Sequence, residues 1–173
     1  MPDETQTLEI LKKAIQVERD GYLFYKTAAE KTVDAKGKEM LQSLAQDEVR
    51  HMNALREQYK NFKEEGRFEF EEEDLEKEFK IDFNSQSPIF SEEIKAKIKE
   101  RHFEMTALSI GIMLETNSID FYKESAKKTD DPQAKTLYLY LADWEGQHLR
   151  ALIAQQNYLK EEYWTEARFY PDI

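Results

Sequence analysis

Two stretches of the chain carry the same polar pair at the same spacing. Glu48-Val49-Arg50-His51 and Glu145-Gly146-Gln147-His148 both read Glu-x-x-His. On a helix, positions three apart share a face. A carboxylate and an imidazole placed there can converge on one metal ion. Two further acids, Glu18 and Glu115, interrupt apolar stripes, and each lies 30 residues before a Glu-x-x-His. Four carboxylates gathered in a core without counter-charge would be prohibitively costly to ionise. Two divalent cations supply four positive charges and cancel them. Carboxylate oxygen and imidazole suit iron and manganese, and the lack of any cysteine disfavours copper(I) or a structural zinc. This donor set by itself leaves iron and manganese both open.

The six residues belong to an internal repeat. A shift of 97 residues lays 14–62 over 111–159 without a gap, with 17 identities in 49 positions. The matches include Glu18/Glu115, Phe24/Phe121, Tyr25/Tyr122, Lys26/Lys123, Glu48/Glu145 and His51/His148. Chance overlay of two helices matches apolar positions; it rarely aligns glutamate and histidine in ungapped register.

Each copy reads as a helical hairpin. Leu8, Leu11, Ile15, Tyr22 and Tyr25 recur at mixed spacings of three and four. "TVDAKG" at 32–37 is the break, and a second helix runs from about Lys38 to about Phe62. Helix three runs from about Met105 to about Lys128. In "TDDP", Asp131 caps helix four and Pro132 takes its first position. Helix four continues to about Leu159. Short breaks make the helices of each hairpin antiparallel neighbours. The first turn centres near Val33 and Asp34, about 15 residues from Glu18 and from Glu48, so those two should face each other. Glu115 should face Glu145 for the same reason. One glutamate from each of two helices and one Glu-x-x-His from each of the others is the ligand pattern of carboxylate-bridged di-iron and di-manganese bundles.

The expected organisation is a single all-α domain over 1–173. Hairpin one takes about 5–62, a crossover about 63–103, hairpin two about 105–160, and an aromatic tail 161–173. A two-fold relation between hairpins makes helices two and three parallel, so the crossover travels the length of the bundle. A helix of about 24 residues is about 36 Å long, which an extended chain covers in about 11 residues. The crossover is far longer and should carry structure of its own. "SEEIKAKIKE" suggests a short helix capped by Ser91, with Ile94 and Ile98 as its stripe. The acidic run Glu64–Glu78 reads as a solvated surface segment. The tail should pack on the bundle or across a subunit contact.

Other residues sit close to the predicted site. Tyr25 and Tyr122 each follow a glutamate by seven positions, nearly two turns, and share its face. Each can hydrogen-bond a ligand carboxylate or line access to the metals. Asp47, where the second copy has Trp144, is one candidate to accept the free ring N–H of His148. Gly146 interrupts a helix interior at a cost of about 1 kcal/mol relative to alanine. Its missing bulk could admit the facing helix, Trp144 or substrate. His102 has no repeat partner and reads as a polar residue ahead of helix three.

Composition narrows the partners. Forty per cent of residues are hydrophobic and 35% charged, with only five glycines and four prolines, as suits a helical chain. No apolar run approaches the roughly 18 residues of a membrane span. The acidic N-terminus is no secretory signal. A net charge of −11 argues against nucleic acid or an anionic membrane as partner. Without cysteine there is no thiolate iron centre. These features fit a cytoplasmic protein, and a homo-oligomer, by preference a dimer, is expected.

With these residues placed, the chain resembles rubrerythrin-like proteins of the ferritin-like superfamily, over roughly residues 6–160. The resemblance rests on "AIQVERDGYLFY", "LAQDEVRH", "GIMLETNSIDFY" and "LADWEGQH". It implies a ferritin-like four-helix bundle holding two iron ions, with Glu18, Glu48, His51, Glu115, Glu145 and His148 as ligands. Glu48 and Glu145 would bridge, and Tyr25 and Tyr122 would position bound oxygen species. It implies reduction of hydrogen peroxide or oxygen with iron oxidation, of peroxidase or ferroxidase type. Two departures stand out. Ser118 occupies the position where rubrerythrins carry an extra glutamate, which makes the site more symmetric. There is no cysteine-ligated rubredoxin domain, so electrons would come from an external donor protein. The competing expectation is a non-catalytic iron-handling or interaction module.

Overall fold

The computed structural model describes residues 4–71, 73, 75 and 98–166. Four helices account for nearly all of them: α1 Glu4–Lys31, α2 Ala35–Glu65, α3 Ile98–Lys128 and α4 Pro132–Glu166. No strand occurs among the described residues. The protein is an all-α four-helix bundle. α1 packs on α2, α3 on α4, and α1 against α3.

The helix ends follow local chemistry. The first break is shorter than its sequence suggests, because Gly37 lies inside the opening turn of α2. There Asp34 is the N-cap, and its carboxylate accepts the Gly37 N–H at 2.7 Å. α2 runs past Phe62 to Glu65 and stops at Gly66, whose φ of +70° is the left-handed conformation that favours glycine. Asp131 caps α4 as expected, accepting the N–H groups of Gln133 at 2.8 Å and Ala134 at 3.0 Å. α3 is already helical at Ile98, ahead of the start expected near Met105, since "IKERHFE" holds no glycine or proline to stop it. His102 therefore lies within α3, exposed. α4 extends beyond Leu159 to Glu166. Of the short helix expected over 91–100, only Ile98, Lys99 and Glu100 are described, and they belong to α3 rather than to a separate helix; the end of the aromatic tail, 167–173, falls outside the described residues.

The start of the crossover is not purely a solvated acidic run. Glu69, Glu71 and Glu73 are exposed, but Phe68 and Leu75 are buried in the core. Gln58 of α2 holds this segment, donating to the Glu69 carbonyl at 2.8 Å and accepting its N–H at 2.9 Å.

The apolar core is split in two. One cluster holds Leu11, Ala14, Leu55, Tyr122, Leu137, Tyr138 and Trp144. The other holds Tyr25, Ala28, Met40, Leu44, Leu108 and Leu152. On every helix the two clusters bracket the predicted ligands: Ala14 and Tyr25 around Glu18, Leu44 and Leu55 around Glu48 and His51. On α3, Leu108 and Tyr122 stand around Glu115, and on α4 Trp144 and Leu152 enclose Glu145 and His148. A polar layer is thus enclosed between two apolar layers.

Candidate metal centre

The structure brings all six predicted residues into that layer, and all six are buried. α1 and α3 each contribute one glutamate; α2 and α4 each contribute a Glu-x-x-His. His51 Nδ1 stands 3.0 Å from Glu18 Oε2 and 3.2 Å from Glu145 Oε1. His148 Nδ1 stands 3.2 Å from Glu145 Oε2 and 3.7 Å from Glu115 Oε1. Both Nδ1 atoms lie 3.8 Å from a Glu48 oxygen.

The donors sort into two overlapping groups. Glu18, Glu48, His51 and Glu145 each offer one ligand atom, all within 4.8 Å of one another. Glu48, Glu115, Glu145 and His148 do the same. Glu48 and Glu145 belong to both groups, where shared carboxylates between two metal positions would stand. Two nitrogen–oxygen donor sets free of thiolate suit hard or borderline divalent cations. Glu145 Oε1 is buried without a hydrogen bond, although His51 Nδ1 is 3.2 Å away. An orphaned buried acceptor in such a cluster is what a cation would satisfy.

The tyrosines obey the same two-fold logic. Tyr25 donates its hydroxyl to Glu115 Oε1, and Tyr122 donates to Glu18 Oε1. Each thus holds a glutamate of the opposite hairpin. Of the two roles open from sequence, the geometry shows hydrogen bonding to the carboxylates of Glu115 and Glu18. Burial first, then the neighbouring carboxylates, push both phenols well above their ordinary range.

The outer nitrogens are treated differently. His148 Nε2 lies 3.3 Å from Asp47 Oδ2, across the bundle as the sequence suggested, and Arg50 pairs with the same Asp47. At the corresponding place on the other side, the Trp144 indole stacks on the His51 ring. Their centroids are 4.9 Å apart and the planes 6° from parallel.

Protons stand in for cations in the metal-free cluster. Burial disfavours a charged imidazolium, but Glu145 and Glu18 outweigh it and raise His51 to about 10. Glu115 and Glu145 raise His148 to about 10 in the same way. Burial, reinforced by the Glu145 charge, pushes Glu115 up to about 8 and Glu48 well above the carboxylate range. Burial also opposes ionisation of Glu145, yet hydrogen bonds with Glu115 and His148 and the nearby charge of His51 hold it well below that range. One shared carboxylate is ionised and its neighbours compete for protons.

A cavity opens onto this layer between α1 and α3, with Glu48 and Glu115 at its inner end. Gly21 and Ser118 line it. A Cβ on Gly21 would stand 3.0 Å from Glu48 Cδ and 3.2 Å from its Oε1. The glycine therefore gives a shared carboxylate room to sit. Sequence reasoning passed over Gly21, though one signal was present: both copies place a small residue three positions after the first-helix glutamate. Gly111 is similar, since a Cβ there would lie 3.1 Å from Leu152 Cδ1 and 3.3 Å from the Tyr25 hydroxyl. Gly146 is the opposite case. A Cβ there would meet only Arg150, at an ordinary 3.5 Å, so neither a facing helix nor Trp144 requires that glycine.

Fold and site together define a four-helix bundle built around a carboxylate–histidine cluster suited to a binuclear metal site. The chain belongs to the rubrerythrin family, whose family model matches residues 9–156. Comparison with curated proteins gave no match, and comparison with solved structures gave none either. No helix among the described residues is long and apolar enough to cross a membrane.

Proposed function

We propose that the chain holds two iron ions and reduces hydrogen peroxide or oxygen as that iron is oxidised. Glu18 and His51 would hold one ion, Glu115 and His148 the other, and Glu48 and Glu145 both. Bound iron would supply the electrons that break an O–O bond. The protein's own residues do the rest. Tyr25 and Tyr122 keep Glu115 and Glu18 aimed inward, and through them set where an oxygen species can lie. Asp47 orients the His148 ring. The two apolar clusters exclude water above and below, which strengthens every electrostatic interaction in the layer. Electrons to restore the ferrous state would come from an external donor protein.

The observation that carries this reading is the pair of overlapping ligand groups sharing Glu48 and Glu145, with a cavity reaching Glu48 and Glu115 from the surface. A merely structural metal site would be closed. Aerobic reconstitution with ferrous iron tests it. Two irons per chain and a near-ultraviolet oxo-bridged band are expected, and the absence of both would overturn the proposal. Peroxide consumption with a reduced donor separates a peroxide reductase from a ferroxidase. Iron uptake with no turnover of either oxidant would favour an iron-handling role. Manganese shares the ligand preference, so metal analysis of protein from its own host decides the native ion.

A further inference from the structure

The cavity between α1 and α3 is larger than hydrogen peroxide or oxygen needs. Its volume is about 290 Å³, whereas a water-sized molecule takes roughly 30 Å³. It lies near the lower end of the roughly 300–1,000 Å³ usual for small-molecule sites. Its lining pairs up under the 97-residue shift: Val17 with Leu114, Asp20 with Asn117, Gly21 with Ser118. It therefore lies close to the pseudo-two-fold axis, yet it reaches Glu115 and the shared Glu48 and not Glu18, so it opens onto the group that holds His148.

The walls and the inner end differ in chemistry. Val17, Leu114 and Phe121 make the walls apolar. A bound water needs two to four polar partners, which such walls do not offer. Polar atoms gather at the inner end, where Glu48 and Glu115 meet the cavity beside Ser118. The mouth carries one cation and one acid, Lys13 and Asp20, both exposed. The Lys13 ammonium sits 5.3 Å from the Phe121 ring centroid. This arrangement fits a molecule with one small polar head and a short, uncharged, apolar body.

We propose that the cavity takes a short-chain organic hydroperoxide. Its O–O end would lie at Glu48 and Glu115, between Gly21 and Ser118, and its alkyl group along Val17, Leu114 and Phe121. This rests on the peroxide branch of the function proposed above. The reaction balances as a two-electron reduction. The O–O bond would break with two electrons, one from each of two ferrous ions when these are bound, and two protons from solvent would be consumed. The substituted oxygen leaves as an alcohol and the other as water.

The test compares hydrogen peroxide, tert-butyl hydroperoxide and cumene hydroperoxide on iron-loaded protein with a reduced donor. The organic substrates should show the lower KM. Leu114→Trp, filling one wall, should lower kcat/KM for them about tenfold more than for hydrogen peroxide. Val17→Phe fills the opposite wall and serves if the tryptophan variant fails to fold. A readout independent of turnover is saturation-transfer NMR of cumyl alcohol, the reduction product of cumene hydroperoxide, on oxidised iron-loaded protein. Transfer should be present in the wild type and lost in the filled variant. Turnover of hydrogen peroxide alone, or organic turnover indifferent to both variants, overturns this inference and leaves the function standing. Iron binding without turnover of any peroxide overturns both.

Discussion

Two glycines in this chain have opposite meanings, and only contact distances separate them. Gly21 gives Glu48 room; adding a methyl at 3.0 Å from Glu48 Cδ must displace that carboxylate. Gly21→Ala should therefore cut iron affinity, by roughly 10–100-fold if it behaves like other changes that mis-orient a ligand. Competitive titration against a chelator reads this. Gly146→Ala meets no obstacle and should stabilise the protein by about 1 kcal/mol through helix propensity. Urea unfolding would show the gain, with iron stoichiometry unchanged. Tyr25→Phe belongs at the same scale. It leaves the buried Glu115 without its phenol donor, an effect of about 1–3 kcal/mol on the metal-free protein.

At the scale of elements, each hairpin depends on how its helices start and stop. Asp131 accepts two N–H groups at the start of α4, at 2.8 and 3.0 Å. Asp131→Ala should cost about 1 kcal/mol, measured by the shift in urea midpoint, without altering iron binding. The cap is remote from the ligand layer, so its loss lowers stability and leaves the site's geometry alone. Helix starts of this kind were legible from residues 131 and 132. Helix ends were less so. α3 and α4 run beyond their expected bounds because nothing in "IKERHFE" or after Leu159 stops a helix locally. The crossover's buried Phe68 and Leu75 were hidden from sequence by the acids around them. Only the core decides which apolar residue in a charged run turns inward.

For the whole molecule, the buried layer couples folding, protons and metal. His51 and His148 titrate near 10 in the fold and near 6.5 when unfolded. Glu115 titrates near 8 against an unfolded value of about 4.3. A raised folded value gives stability that is complete below the unfolded value and lost as pH rises through the folded one. Metal-free protein should therefore lose stability steadily from about pH 4.5 to about pH 10. The lowered Glu145 acts in the opposite sense only as pH falls below about 4.5. Thermal unfolding of chelator-treated protein across that range would check the slope. Bound metal displaces these protons, so its affinity should rise with pH and loading should release acid. A flat stability profile for the metal-free protein would contradict this arrangement.

The sequence by itself determined the architecture and the membership of the cluster. A gapless repeat carrying Glu18/Glu115, Glu48/Glu145 and His51/His148 specifies two hairpins and one level, because helical spacing and turn position are local properties of the chain. Tertiary structure alone decided what surrounds those residues. Which carboxylate each tyrosine reaches, why Trp144 stacks where Asp47 would stand and where the cavity opens all depend on residues about a hundred positions apart. Their distances are set by how the two hairpins pack, and no local pattern encodes that packing.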